Sequence, residues 1–302
     1  MSKLAKFFII CAAVCVLGIV MSFAGYAAGG VDDLQKVADK HEWLNVGPNS
    51  TETDLLTVGE FQSIEAEGSL DITVIAPGEE LDEEAVPNFV EDMYYQGTAG
   101  TVAVKWGKGN GAPVVTNENG VLKIKGSSED IDTAQVNLTG EDPSPDVIVF
   151  CSDNELESIH INDKYGDTAI VCVKSKNTKI TAESGDIVIE NVEGGEIAAE
   201  TNTGDINADN IVSSKMALKA GTGDIDISEC GGEISAETAT GDIEFAAALP
   251  QSQFDMDLSI TTGEISINED TIDAKEFYAK GEPNKLVFRT DTGDIDADFS
   301  ED

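Results

Sequence analysis

Aspartates that directly follow a glycine recur at a regular spacing in the second half of this 302-residue sequence. Four of them lie 18 or 19 residues apart: Asp186, Asp205, Asp224 and Asp242. If the repeats stack in register, these carboxylates follow one edge of the fold at intervals of about 5 Å, where neighbours repel by about 1 kcal/mol in water. In one interpretation, hydration, turn N–H groups and salt relieve this repulsion. In the other, Ca²⁺ bridges the carboxylates, since it prefers oxygen ligands.

Other metal and redox chemistry has no clear sequence signal. The repeats lack the Gly-Gly-x-Gly-x-Asp pattern of calcium-binding β-rolls. The five cysteines show neither CxxC nor His-paired spacing, so the sequence predicts no structural metal site and no disulfide framework. We expect no cofactor, and the calcium ladder is the one metal hypothesis.

Residue types that carry catalysis are scarce. His41 and His160 are the only histidines, and Arg289 is the only arginine. The glycine-rich stretch 107–111 lacks the spacing of a phosphate loop, and no Gly-x-Ser-x-Gly motif occurs. Acidic pairs such as Asp224 and Asp226 are expected by chance among 58 acidic residues. We therefore predict no catalytic residues and no enzyme, with a polysaccharide-active enzyme as the weaker alternative because β-helices include such enzymes.

An internal repeat defines the elements that position the aspartates. The stretch 194–206 recurs at 231–243, an offset of 37, with eleven of thirteen positions identical. A period near 19 residues is typical of a solenoid. Glycines are expected at its turns because they tolerate positive φ. The turn glycines are Gly185, Gly204, Gly223, Gly241, Gly263 and Gly293, the last two after wider gaps.

Apolar residues alternate with polar ones on both sides of each turn. Ile225 and Ile227 follow the turn at Gly223, and Leu218 precedes it by five residues. One coil cannot enclose a core, so coils must stack about 4.8 Å apart and bury their apolar faces together. The fold class is predicted as all-β, a parallel β-helix or β-solenoid with coils of about 19 residues. The coil around Gly166 fits poorly, since Asp163 and Thr168 occupy inward positions.

These motifs resemble a known family. The Ser/Thr-Gly-Asp-Ile repeats, the final Thr292–Ala297 and the apolar segment that ends in Gly29-Gly30 are similar to the bacterial β-strand-repeat proteins called putative adhesins, domain-of-unknown-function family 4097. The resemblance covers roughly residues 55–302. It implies a parallel β-helix at the bacterial cell envelope and links some relatives to envelope-stress operons. It provides no catalytic motif.

The N-terminal segment predicts the localisation. Residues 7–28 carry no charge and are long enough to span a bilayer, and Lys3 and Lys6 precede them. A cleaved signal peptide is the alternative. We expect a cell-membrane protein with a cytoplasmic N-terminus and an extracellular C-terminal domain. The predicted division is a cytoplasmic tip (1–6), a transmembrane helix (7–28), a juxtamembrane connector (29–54), an N-terminal β-strand region (55–140) and β-solenoid repeats (147–302).

The charge restricts the partners. A formal net charge of −40 repels nucleic acid and anionic lipid, so no nucleic-acid partner is expected. The predicted function is a membrane-anchored, non-catalytic, adhesin-like interaction or scaffold module, whose partner is a cell-surface glycan or a membrane protein. The alternative is an envelope-stress accessory protein that acts through a membrane partner.

Overall fold

The alternating residues form β-strands in the computed structural model, which describes residues 51–76, 97–107, 112–126, 144–152 and 155–300. Within these residues the only helical element is a 3-10 turn at Gln251–Gln253. All of them belong to one unit, Thr51–Ser128 with Ser144–Asp302. A second unit, Met1–Ser50 with Glu129–Pro143, lies outside the described residues. The predicted all-β class is confirmed for the described part of the chain.

The described strands form two sheets. Sheet A contains β1 (Thr51–Thr57), β3 (Asp71–Ile75), β4 (Thr101–Gly107), β7 (Asp146–Phe150), β9 (Thr168–Val171), β11 (Ile187–Glu190), β13 (Ile206–Asp209), β15 (Ile225–Ser228), β17 (Ile243–Pro250), β19 (Ile265–Ile267), β20 (Asp270–Ile272) and β23 (Ile295–Ser300). Sheet B contains β2 (Ser63–Gly68), β5 (Val114–Glu118), β6 (Val121–Lys125), β8 (Ser158–Tyr165), β10 (Lys174–Ser184), β12 (Glu193–Thr203), β14 (Val212–Thr222), β16 (Gly231–Thr240), β18 (Phe254–Thr262), β21 (Glu276–Ala279) and β22 (Asn284–Thr292).

Parallel pairing in register builds the predicted solenoid. A coil consists of one strand of sheet B, a glycine turn and one strand of sheet A. In sheet A, Ile187 pairs with Ile206, Ile206 with Ile225, and Ile225 with Ile243. All four isoleucines have 0% exposure. Because equivalent residues lie directly above one another, each inward position becomes a continuous apolar row of the core between the two sheets.

The order of coils in space differs from their order in the chain at both ends. Strands β22 and β23 lie between β16/β17 and β18/β19, so the coil that turns at Gly293 separates those that turn at Gly241 and Gly263. Likewise, β2 and β3 lie between β8/β9 and β6/β7. The wider sequence gaps before Gly263 and Gly293 accommodate the 3-10 turn and the antiparallel strands β20 and β21.

Antiparallel strands end the parallel stack. At one end β4 pairs with β1 and β7, and β5 pairs with β6. At the other end β19 pairs with β20, and β18 pairs with β21. An open parallel edge is a template for pairing with another chain, and short antiparallel edge strands limit that hazard.

The predicted membrane localisation is corrected by the structure. The segment predicted as a transmembrane helix, residues 7–28, lies outside the described residues. Among the residues that are described, no helix has the length and apolar composition to cross a bilayer. The structure therefore does not support a single-pass protein with a cytoplasmic N-terminus and an extracellular C-terminal domain. Apolar length favours insertion into lipid, but it does not by itself establish a helix.

The coil around Gly166 contains a carboxyl group in the core. Asp163 and Thr168 point inward, with 2% and 1% exposure. Oδ1 of Asp163 accepts a hydrogen bond from the N–H of Leu70 at 3.2 Å, whereas Oδ2 and the Thr168 hydroxyl have no hydrogen-bond partner. Burial, assisted by the nearby charge of Asp71, raises the pKa of Asp163 to about 8.

The pKa of Asp163 predicts a pH-dependent stability. The folded-state pKa lies above the ordinary value of 3.8, so the folded state holds this proton where the unfolded chain releases it. Stability therefore falls as pH rises between these two pKa values, by at most about 1.4 kcal/mol per pH unit. We expect Asp163→Asn to stabilise the protein increasingly between about pH 5 and about pH 9, measured by urea unfolding. The exposed control Asp270→Asn should show no such trend, and equal trends in both variants would refute the assignment.

The turn glycines predict a second stability effect. Gly223 has φ +144°, and a Cβ there would lie 2.0 Å from the carbonyl oxygen of Gly204 in the adjacent coil. Gly120 has φ +82°, and a Cβ added there would have no neighbouring atom within 4 Å. We expect Gly120→Ala to cost about 1 kcal/mol from backbone strain. Gly223→Ala should cost at least about 3 kcal/mol, because the neighbouring turn must also move. Equal losses in denaturant unfolding would show that the close approach contributes nothing.

Candidate functional site

The predicted row of aspartates is a ladder of hydrogen bonds between coils. The structure brings all four predicted residues to one edge, and the N–H of each donates to Oδ1 of the aspartate in the preceding coil. Four of these distances are 2.8 Å: Asp186 to Asp167, Asp205 to Asp186, Asp224 to Asp205, and Asp242 to Asp224. Each carboxylate thereby stabilises a turn of the neighbouring coil, because the N–H group of that turn has no hydrogen-bond acceptor in the strands.

The two ends of the ladder explain departures from the Gly-Asp motif. Asp294 donates to Asp242 at 2.7 Å, and Glu264 donates to Asp294 at 2.7 Å. In the described part of the ladder, Glu264 occupies the last turn, where no further N–H requires an acceptor. At the other end, Asp71 accepts from Asp167 at 2.9 Å, while its own N–H donates to the carbonyl of Pro145.

Next to the ladder, the outer face of sheet A is strongly acidic. Asp226, Glu244 and Asp296 occupy one row in adjacent strands. Partial burial raises the pKa of Asp226, and the charges of Asp224 and Asp205 raise it further. The pKa of Glu244 is raised first by the charge of Asp226 and then by desolvation. These shifts express repulsion between carboxylates that stacking holds close together.

The calcium ladder stays a prediction. Among the described residues, no group of three or more His, Cys, Asp and Glu side chains is arranged to hold a metal ion. One oxygen of each ladder carboxylate is already used by a backbone N–H. Hydrogen bonding from turn N–H groups is thus one means by which the fold relieves the repulsion of the row.

The sequence singled out other residues that the structure places elsewhere. Arg289 lies on β22 and binds Asp257 at 2.9 Å and the Ser259 hydroxyl at 2.6 Å, so its guanidinium is engaged within sheet B. His41 and residues 108–111 lie outside the described residues. The aromatic ring of Phe245 contacts those of Phe254 and Phe288 in the core, and burial removes all three from any surface platform for sugars.

A groove on the outer face of sheet B is a candidate binding site. Its volume is about 640 Å³, and it crosses strands β6, β2, β8 and β10. Outward side chains of these strands form its lining: Glu65, Glu67, Lys123, Lys125, His160, Asn162, Lys179 and Thr181. Sequence reasoning noted His160 only as one of two histidines and missed the others. The signal available was their alternation with buried Ile124, Ile161 and Ile180.

The two sides of the groove differ in their pairing. On the β2/β6 side, the ammonium group of Lys125 lies 2.5 Å from a carboxylate oxygen of Glu67, which lowers the pKa of Glu67. Lys123 is paired similarly with Glu118 at 3.1 Å. On the β8/β10 side, the side chains of His160, Asn162, Lys179 and Thr181 have no hydrogen-bond or ion-pair partner within the described part of the chain. Four polar groups there are free to bind a ligand.

A second cavity lies at the opposite turn of the coils. It measures about 280 Å³, and Cys230 and Ala247 are among its lining residues. The exposed side chains of Val212 and Leu249 also border it. It offers mainly apolar contact and little polar chemistry.

Comparisons with known proteins complete the description. A family model described as Toastrack DUF4097 matches residues 63–300. A structure of a putative cell adhesion protein from Clostridium sporogenes aligns over 84% of this chain and 100% of its own, with 10% identity and a TM-score of 0.37. A putative adhesin from Bacteroides fragilis aligns over 83% and 98%, with 13% identity and a TM-score of 0.32. No curated protein matches the sequence.

The ladder predicts different effects for two substitutions of Asp224. Asp224→Ala removes the acceptor for the N–H of Asp242, and we expect a loss of about 1 kcal/mol. Asp224→Asn keeps a side-chain oxygen and removes a charge beside Asp226 and Glu244. Its stability in urea should therefore equal or exceed that of the unchanged protein at low ionic strength, with the advantage shrinking as salt is added. Equal destabilisation by both variants would mean that the charge itself is required, as a bridging cation would demand.

Proposed function

The chain belongs to the Toastrack DUF4097 family, and from this premise we propose that it is a non-catalytic, adhesin-like module whose sheet B groove binds a short oligosaccharide. The observation that carries this proposal is the set of four unpaired polar side chains on the β8/β10 side of the groove. Three of these side chains, His160, Asn162 and Lys179, are exposed, and without a partner in the protein they keep their full hydrogen-bonding capacity for a ligand.

The position of the groove within the stack supports binding without large rearrangement. Strand β8 pairs with β2 and β10, and β10 pairs with β8 and β12, so neither is an edge strand. Side chains on strands with two partners have fixed spacing, about 4.8 Å across the sheet and about 7 Å along a strand. Such preorganisation lowers the entropic cost of binding.

The chemistry of the lining favours a hydroxyl-rich ligand. Asn162, Thr181 and His160 can each donate and accept hydrogen bonds, which matches sugar hydroxyl groups. The side chains of Ala66, Ile124 and Ile161, which border the floor of the groove, are themselves buried in the core. The net charge of −40 disfavours nucleic acids and other polyanions as ligands.

The groove is also a poor setting for glycoside hydrolysis. A general acid needs a raised pKa so that it carries a proton at neutral pH. The pKa of Glu67 is instead lowered by the hydrogen bond and charge of Lys125. Binding without turnover is therefore the function that this lining supports best.

A glycan array probed with the full-length protein tests the proposal. We expect saturable binding of at least one oligosaccharide, and Asn162→Ala should weaken that binding by about 3- to 10-fold, the effect of one hydrogen bond. Asn177→Ala is the matched control, because Asn177 is an exposed asparagine of β10 outside the groove lining. Absence of any saturable binding, or an equal loss in the Asn177 variant, would refute the groove as a glycan site.

A further inference from the structure

We infer that the oligosaccharide bound by this groove carries a carboxylate, which pairs with the ammonium group of Lys179. This inference rests on the proposed glycan-binding function and adds the class of sugar, an acidic one. It depends on the pairing pattern of lysines across the outer face of sheet B.

Lysines on sheet B face a carboxylate in the paired position of a neighbouring strand. The strand register shows this pattern at six of them: Lys123 with Glu65, Lys125 with Glu67, Lys174 with Glu193, Lys215 with Glu196 and Glu233, Lys219 with Glu200 and Glu237, and Lys285 with Glu233. Four of these pairs are ion pairs within 4.0 Å: Lys125–Glu67, Lys174–Glu193, Lys219–Glu200 and Lys285–Glu233. Alternating charge across strands is thus how this face accommodates its lysines.

Lys179 breaks the pattern. Its paired positions hold His160 on β8 and Ala198 on β12. Its outward neighbours along β10 are Asn177 and Thr181, so none of the four adjacent side chains is acidic. In a chain with 58 acidic and 18 basic residues, a lysine with no carboxylate in either paired position is a departure that the composition does not favour. The carboxylates of β12 next to it, Glu196 and Glu200, lie on its diagonals. Lys179 lies on the unpaired side of the groove described above.

A carboxylate on the ligand would give Lys179 the acidic partner that other lysines of sheet B have on a neighbouring strand. An ammonium–carboxylate hydrogen bond is about 2.7–2.9 Å long and about twice as strong as a neutral one. Asn162 and Thr181, one row further along the sheet, would then accept and donate hydrogen bonds to the hydroxyl groups of the same or the adjacent sugar. A uronic or sialic acid unit combines the two kinds of group at this spacing.

The charge of the rest of the protein limits the ligand to few carboxylates. Glu65 and Glu67 also line the groove, so its cationic character is confined to the side of Lys179. The overall charge of −40 repels a polyanionic chain at long range. The ligand class is therefore a short oligosaccharide with one acidic unit, and long polyuronates are expected to bind worse.

Paired probes test the inference. The full-length protein is titrated calorimetrically at low ionic strength with short oligosaccharides that end in glucuronate, galacturonate or sialate, each compared with its uncharged methyl ester. We expect at least one acid to bind about 10-fold more tightly than its ester, an energy typical of a partly exposed charge-assisted hydrogen bond. Lys179→Gln should abolish this preference, so that acid and ester bind with equal affinity.

Lys215→Gln is the matched control. Lys215 is exposed on the same face of sheet B, and its replacement changes the net charge equally but lies outside the groove lining. It should leave the preference for the acid intact. If acid and ester bind equally and Asn162→Ala weakens both, the inference fails and the glycan-binding function stands. If neither form of any probe binds and the glycan array is also silent, both fail.

Discussion

In-register stacking of parallel coils is the constraint on which the rest of this structure depends. Strands about 4.8 Å apart bring the same position of successive coils into contact. Each side chain therefore packs against the side chains at the equivalent positions of the neighbouring coils. Inward positions become rows of isoleucine, and turn positions become rows of glycine whose backbones leave no space for a Cβ. Outward positions become rows of like or opposite charge. The same stacking therefore stabilises the fold through its apolar rows and brings like charges close together on its surface.

The two faces solve this electrostatic problem differently. On sheet B, acidic and basic residues alternate from strand to strand, as at Glu196, Lys215 and Glu233. On sheet A, acidic residues stack upon one another, and the adjacent ladder uses its carboxylates as acceptors for turn N–H groups. In the ladder, charge of one sign is tolerated because the turn aspartates accept backbone N–H groups. On sheet B, Lys179 is the lysine whose paired positions hold no carboxylate.

Sequence reasoning recovered what the repeat itself encodes. The turn glycines, the inward isoleucines and the edge aspartates all follow from a period near 19 residues, and Asp163 was recognised as a misfit because it interrupts that period. The sequence could not predict that β22 and β23 lie between earlier coils, because identical repeats stack equally well in several orders. The groove was missed for a related reason: Asn162 and Lys179 share no motif, and only the register of β8 and β10 brings their rows together. Apolar length was a misleading guide to localisation, since it reports affinity for lipid and not the structure of the segment.

The inserted position of the last coil has a mechanical consequence. Strand β23 has hydrogen-bonded neighbours on both sides, β17 and β19, and β22 likewise lies between β16 and β18. Tension applied along β23 is therefore distributed over two ladders that are loaded in shear, and they must rupture together. Each strand of a coil at the outer end of a stack would instead be held by only one such ladder. Strands at the end of a solenoid normally fray first. Because β22 and β23 lie inside the stack, they resist extension instead.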